Sequence, residues 1–453
     1  MYTAFMQQLR AVCAGLPDKR KGGNNQHYEL EDGCLSAFAV FFTQSPSFLA
    51  YQREMRLHKG QDNAQSLFGV TEIPSDNQIR NLLDPIEPAC LGELFWWTFE
   101  QLQRKGHLAD FHGYNGQWLI ALDGVQYFSS DTIHCDQCTR HQQGKKTRYS
   151  HSVIAPVLVA PGYDYVISLE PEFMTPPDGA DKQDSEAAAA QRWTARQCGR
   201  FAPWRVTILA DDLHSHEPFC RGLLQEQYNY ILVCKPESHA FLYEQLGELA
   251  QLRLLGESVS QCWNGQGKGH HEVWTYRYAN DLLLRDSDDA LPVNWCELLV
   301  TNIESQLDGQ VGCAEVLYHN SFITNHRVRE DNVASIVRSG RARWKTENEN
   351  HNTLKHQGYH LEHNFGHGEQ HLACFLLSLN LLAFLLHTSL SLTDAIYQGI
   401  RQTLGRRTTF FDDIRTLTRY LYFDSWLSLI TFMFTRLELG PQPDHLPQGE
   451  FAR

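Results

Sequence analysis

Between about residue 115 and residue 235, short β-rich runs follow one another and then alternate with helical stretches. That order constrains the fold more than any other feature of the chain. QWLIALDGVQYF, SHSVIAPVLVA and YDYVISLEPEF carry the β-branched and aromatic residues of strands, with no helical stretch between them. After the loop MTPPDGADKQ, DSEAAAAQRWTARQC reads as an Ala-rich helix with Asp184 or Ser185 as its cap. RVTILADDL returns to strand, HEPFCRGLLQEQ to helix and NYILVCK to a fifth strand. Directly joined strands pair antiparallel, whereas strands joined through helices pair parallel. The order βββαβαβ therefore predicts an α/β fold with a mixed sheet.

The flanks differ in character. Residues 1–112 read as a helical region for DNA binding or dimerisation, including PSDNQIRNLLDPIEPACLGELFWWTFEQLQ with Ser75 or Asp76 as a cap. Residues 113–235 form the first part of the core, and 236–330 a β-rich insertion with runs such as HEVWTYRYAND and WCELLVTNIES. Residues 331–390 return to the core, and 391–453 form a helical C-terminal region with a loose tail. LACFLLSLNLLAFLL at 372–386 is short for a membrane span and is flanked by His371 and His387, so it reads as a buried core helix. No secretory signal is read at the N-terminus, and the expectation is a cytoplasmic protein with no membrane contact. Its twelve cysteines are then expected to be reduced.

Three acids fall at telling places. Asp123 interrupts an otherwise apolar strand, where a charge is costly unless paired or metal-bound; a turn with Gly124 is the alternative. Asp211 and Asp212 end a strand and point to opposite faces, so only one reaches a common site. Glu347 lies in RARWKTENENHNTLK, with Arg343 four residues before it and Lys355 eight after, near one helix face. A plain salt bridge between Arg343 and Glu347 is one alternative, and Glu349, about 200° around the helix, is the other candidate ligand. Two strand carboxylates and one from a helix can meet at a sheet edge and hold Mg²⁺ or Mn²⁺ beside a phosphodiester. In that reading Asp123, Asp211 and Glu347 are catalytic metal ligands, and Arg343 and Lys355 contact DNA phosphates.

A net charge of −14 opposes binding to double-stranded DNA, whose affinity rests on Lys and Arg. The basic residues are clustered, however. Arg327, Arg329, Arg338, Arg341, Arg343 and Lys345 precede Glu347, and Arg140, Lys145, Lys146 and Arg148 follow Asp123. Lys145, Lys146 and Arg148 are therefore further candidates for DNA contact. No glycine-rich phosphate loop is present to support nucleotide hydrolysis.

The ordered strand Asp, strand-end Asp and helix Glu resemble a DDE transposase of bacterial insertion sequences, with its ribonuclease-H-like domain. More narrowly, they resemble the IS-four-type group, in which a β-rich insertion separates the second Asp from the Glu. ILADDLHS resembles that group's strand end and selects Asp211; RARWKTENENHNTLK resembles its Arg-x-x-x-Glu stretch and selects Glu347 with Arg343. HQGYHLEHNFGHGEQHL, followed by LNLLAFLLH, is similar to the continuation in some members. The family's Tyr three residues before the Arg falls at Gly340, and its Lys seven after the Glu falls at Leu354. The resemblance implies two-metal DNA cleavage and strand transfer by a homodimer at terminal repeats. A transposase-derived DNA-binding protein or nuclease without strand transfer is the alternative.

IHCDQCTRHQQGKKTRYSHS adds a second set of ligand types: Cys135, Cys138, His134 and His151 could form a Cys₂His₂ structural zinc site, with reduced loop cysteines as the alternative. His360, His363, His367 and His371 crowd a later stretch, but Gly366 and Gly368 oppose a helix there. It reads as a polar loop closing over the active site.

Overall fold

The computed structural model describes residues 1–20, 27–55, 62–144, 146–176, 185–264, 270–303 and 315–440. Helices α1 Tyr2–Ala14, α2 Leu30–Phe42, α3 Phe48–Met55, α4 Asp76–Leu83 and α5 Gly92–Arg104 come first. Strands β1 Trp118–Ala121, β2 Gly124–Ser130, β3 Thr139–Gln143, β4 Lys146–Ile154, β5 Val157–Val159, β6 Ile167–Ser168 and β7 Glu172–Met174 follow. Then come α6 Glu186–Gln197, β8 Val206–Ala210, α7 Glu217–Gln225, β9 Asn229–Val233 and α8 Ala240–Gln251. Long strands β10 Gly256–Asn264, β11 His270–Leu283, β12 Pro292–Ile303 and β13 Glu315–Thr324 lead to α9 Val333–Arg341 and α10 Asn352–His356. Helices α11 Leu372–Thr393, α12 Ala395–Leu404, α13 Arg407–Tyr420 and α14 Trp426–Arg436 complete the order. The chain is α/β with a mixed sheet and helical N- and C-terminal regions, and it divides into two units.

The sheet unit comprises Leu108–Gln126 and Ser152–His351. Its strands run β10-β11-β12-β13-β9-β8-β1-β5-β6. β8 pairs parallel with both β1 and β9, β5 antiparallel with β1, and β6 antiparallel with β5. Val206–Ala210 and Asn229–Val233 are buried along their whole length, which explains their unbroken apolar runs. The stretch expected to be an insertion continues this sheet: β13 pairs antiparallel with β9, and β12, β11 and β10 follow as hairpins.

Three expected strands are each broken. QWLIALDGVQYF ends as β1 at Ala121; Leu122 N still donates to Leu209 O at 2.8 Å, and β2 then joins another ladder. SHSVIAPVLVA breaks at Pro156, which lacks a backbone N–H for the ladder. YDYVISLEPEF splits into β6 and β7 at Pro171.

The helical unit comprises Met1–His107, Tyr127–His151 and Asn352–Arg453. Its centre is α11, 22 residues long and packed by α2, α5, α12, α1 and α4. The helix is long and apolar enough to cross a membrane, but 94% of its most apolar stretch is buried in the protein, as expected of a core helix. Two of its polar side chains reach Tyr359: Asn380 Nδ2 donates to Tyr359 O at 2.9 Å, and the Tyr359 hydroxyl lies 2.6 Å from His387 Nδ1.

Candidate functional site

Asp123 follows the end of β1, where its backbone is fixed by Ala155 N donating to Asp123 O at 3.2 Å. Its side chain is 17% exposed, and His351 Nδ1 stands 3.5 Å from Oδ2. Burial pushes the carboxyl up to about 7. Arg343 pulls it down, whereas Glu186, Asp211 and Glu347 push it further up. Two of the acids selected from the sequence, Asp211 and Glu347, therefore act on the third.

Asp211 follows β8, the neighbouring parallel strand, and caps a short turn, accepting from Leu213 N at 3.0 Å and facing His214 Nδ1 at 2.9 Å. Burial works to raise its carboxyl, but His214, the Leu213 amide and Arg343 outweigh it and hold the group below its ordinary value. Asp212 has a different task. It accepts from Lys235 N at 2.6 Å and from the Ser238 hydroxyl, joining the turn to the segment after β9. Both acids lie beyond β8, Asp211 as the cap and Asp212 inside the 3₁₀ turn, and the turn rather than strand alternation gives them different partners.

Glu347 and Arg343 lie on tightened and widened helical turns rather than one regular helix: a 3₁₀ turn over Ala342–Trp344 and a π turn over Thr346–His351. Arg343 Nη2 nevertheless donates to Glu347 Oε1 at 2.9 Å. The wider turn changes the helical phase, so the face relation expected for Lys355 does not follow. Lys355 belongs to the helical unit, where it pairs with Glu362 at 2.8 Å.

A fourth acid, Glu186, was not singled out from the sequence. Ser185 caps α6, accepting from Ala188 N at 3.2 Å, and Glu186 opens the helix. Its Oε1 accepts from Gly124 N at 3.0 Å. A Cβ at position 124 would lie 2.5 Å from Glu186 Cδ, so glycine permits this approach beside Asp123. Burial raises the Glu186 carboxyl, His214 lowers it and Asp211 raises it again. An acid in a first helical turn ordinarily complements the helix dipole, which hides it in a sequence.

Glu186, Asp211 and Glu347 all act on Asp123, so the four acids offer a partly buried, oxygen-only donor set with Arg343 as the guanidinium among them. Such hard donors fit magnesium or manganese rather than soft metals. Beside them, Arg338, Arg341, Arg343, Trp344, Lys345 and Tyr318 line a groove of about 560 Å³. Arg341 stacks 4.5 Å above Tyr318 and 5.1 Å above Trp274, while Trp344 is 61% exposed. Arg327 pairs with Asp281 at 2.9 Å and Lys345 with Asp164 at 3.4 Å.

The other basic candidates belong to the helical unit. Lys146 is exposed, and Arg148 donates to the Ser129 hydroxyl at 2.7 Å. Lys145 lies outside the described residues.

The helical unit also holds a cluster of Cys135, Cys138, His151 and His367, all buried. Hydrogen bonds from Cys135, His151 and His367 hold the Cys138 thiol well below its ordinary value, and the same sulfur pair pushes Cys135 up. His134 is not part of it, contrary to expectation. Its exposed ring stacks on Tyr149 at 4.4 Å, and Nδ1 lies 3.2 Å from Thr132 O. The fourth donor comes instead from the His-rich run, whose positive-φ glycines Gly366 and Gly368 keep it irregular until α11. No protein-family model matches the chain, and no curated protein matches it.

Proposed function

We propose that this chain is a metal-dependent DNA-processing enzyme, a DDE transposase of the insertion-sequence type acting by phosphoryl transfer. The observation that carries the reading is that Asp123 and Asp211 lie just beyond the ends of the adjacent parallel strands β1 and β8, where burial, Asp211 and Glu347 all push the Asp123 carboxyl up. A buried carboxylate pushed up by neighbouring acids is stabilised by a multivalent cation, and oxygen donors are those a hard cation takes. Asp123, Asp211 and Glu347 would hold the metal. Magnesium or manganese bound there supplies an activated oxygen nucleophile and a stabilised leaving oxygen for in-line displacement.

The protein's own residues do the rest. Arg343 orients Glu347 through their 2.9 Å ion pair. Arg338 and Arg341 offer phosphate contacts along the groove, and exposed Trp344 offers a face for base stacking. A ribonuclease-H-like reading is supported by the meander β1-β5-β6 with β8 and β9 added in parallel beyond β1. Gly340, where the resembling family has Tyr, is closely packed: an added Cβ would lie 2.8 Å from Ile231 Cγ2. Trp344, four residues later, lines this groove together with Tyr318. Joining two element ends calls for a homodimer on double-stranded DNA.

The test is cleavage of DNA carrying this gene's flanking terminal repeats, with Mg²⁺ or Mn²⁺, by the wild type and by Asp123→Ala. The expected result is nicks at the repeat ends that vanish in the variant while DNA binding persists. Binding without cleavage by the wild type would leave only the DNA-binding alternative; an active Asp123→Ala protein would remove Asp123 from the mechanism.

A further inference from the structure

We propose that Cys135, Cys138, His151 and His367 bind one structural zinc ion, which fastens the His-rich segment before α11 to the β3–β4 hairpin. The proposal is independent of the transposase reading, because all four residues belong to the helical unit.

The donor geometry carries it. Cys135 Sγ and Cys138 Sγ are 3.9 Å apart, and each lies 3.4 Å from His151 Nε2. His367 Nε2 lies 3.5 Å from Cys138 Sγ, and all four ligand atoms fall within 4.8 Å of one another. Zinc bonds of about 2.3 Å to sulfur and about 2.0 Å to nitrogen, arranged tetrahedrally, require sulfur–sulfur edges near ~3.8 Å and sulfur–nitrogen edges near ~3.5 Å. The observed separations agree with these edges. Two thiolates also balance the charge of a divalent ion between two neutral imidazoles.

The surroundings favour a structural ion over a catalytic one. The four residues are between 0% and 7% exposed, which leaves no open position for water or substrate. The His151 ring stacks on Tyr127 at 5.6 Å, and His367 packs against Phe128 at 4.3 Å. His367 is also held from its own side. Arg80 Nε donates to Phe365 O at 3.0 Å, and the Asp84 carboxylate accepts from the backbone of Glu369, Gln370 and Leu372 at 3.0 to 3.2 Å. The segment is thus set for His367 to meet a hairpin 229 residues earlier in the chain.

Zinc content would be measured on the full chain purified without chelator, followed by chelation and titration with cobalt(II). One zinc per chain is expected, replaced by cobalt with the strong visible bands of a tetrahedral, thiolate-bound ion. An Asp123→Ala background removes any contribution from the carboxylate site, whose oxygen ligands give no thiolate charge transfer. Cys138→Ser and His367→Ala should lose the ion, and His134→Ala should keep it. If the first two variants fail to fold, the wild-type cobalt spectrum still decides. No uptake, or a spectrum without thiolate bands, overturns the proposal; unchanged spectra in folded His367→Ala remove His367 as a ligand.

Discussion

Asp123 must carry charge to hold a metal, yet its surroundings resist that charge. Its carboxyl sits at about 7 because burial and three neighbouring acids outweigh Arg343. In metal-free protein the folded state therefore binds a proton more tightly than the unfolded chain does. That contribution to stability is full below about pH 4 and is lost as pH rises through about 7. A tenfold change in proton affinity is worth about 1.4 kcal/mol, so the total loss is on the order of a few kcal/mol. Asp123→Asn, with no charge to desolvate, should melt higher than wild type at pH 8 in EDTA, and the gap should close towards pH 4. Added Mg²⁺ should raise the wild-type melting temperature at pH 8 and leave the variant nearly unmoved. A difference independent of pH would mean that Asp123 is not the titrating group. Asp123 and Asp211 stood out in the sequence because a charge in or beside an apolar strand needs a reason, and Glu347 through its spacing from Arg343 and the resemblance. Glu186 did not, because its proximity depends on Gly124 lacking a side chain 62 residues away.

Helix α9 sets the position of Arg343 by how closely it approaches the sheet. At Gly340 an added Cβ would stand 2.8 Å from Ile231 Cγ2 and 2.9 Å from Phe322 Cε1, both side chains 1% exposed within β9 and β13. Gly340→Ala gains about 1 kcal/mol of helix propensity. Overpacking against two fixed strand residues costs about 1–3 kcal/mol. The clash should win, lowering stability in urea unfolding by about 1 kcal/mol. DNA cleavage should fall further, because Arg343 and Glu347 move with the helix; an Ala variant with wild-type stability and activity would show that α9 has room to shift. Strand and helix order at this scale followed from residue patterns, whereas strand ends did not. Pro156 explains one break and Asp123-Gly124 marks another, but nothing local says that the chain then enters a second ladder. The zinc-type cluster shows the same limit: Cys135-x-x-Cys138 was visible, while pairing with His367 depends on contacts that spacing cannot encode.

Over the whole molecule, sequence and structure divide the chain differently. Reading along the sequence gives consecutive regions, but the helical unit is assembled from three separate segments and the sheet unit from two. Charge follows the same lesson. A net −14 says little about a groove where Arg338, Arg341, Arg343 and Lys345 gather within eight residues. Acidic charge elsewhere weakens long-range attraction to DNA, and at physiological salt it is screened beyond about 8 Å. Affinity should therefore rest on the few phosphates that reach the groove, and log K should fall with log salt with a slope near −0.9 for each phosphate contacted. Arg338 is exposed, so Arg338→Ala should flatten that slope by about 1 and weaken binding alike for all sequences. Trp344→Ala should leave the slope unchanged, yet cost about 1–3 kcal/mol on DNA ends with unpaired bases that can stack. Fluorescence anisotropy across a salt series, with fully paired and frayed ends compared, separates the two effects. If neither variant changes binding, DNA does not lie in this groove, and the carboxylates must receive it from another side.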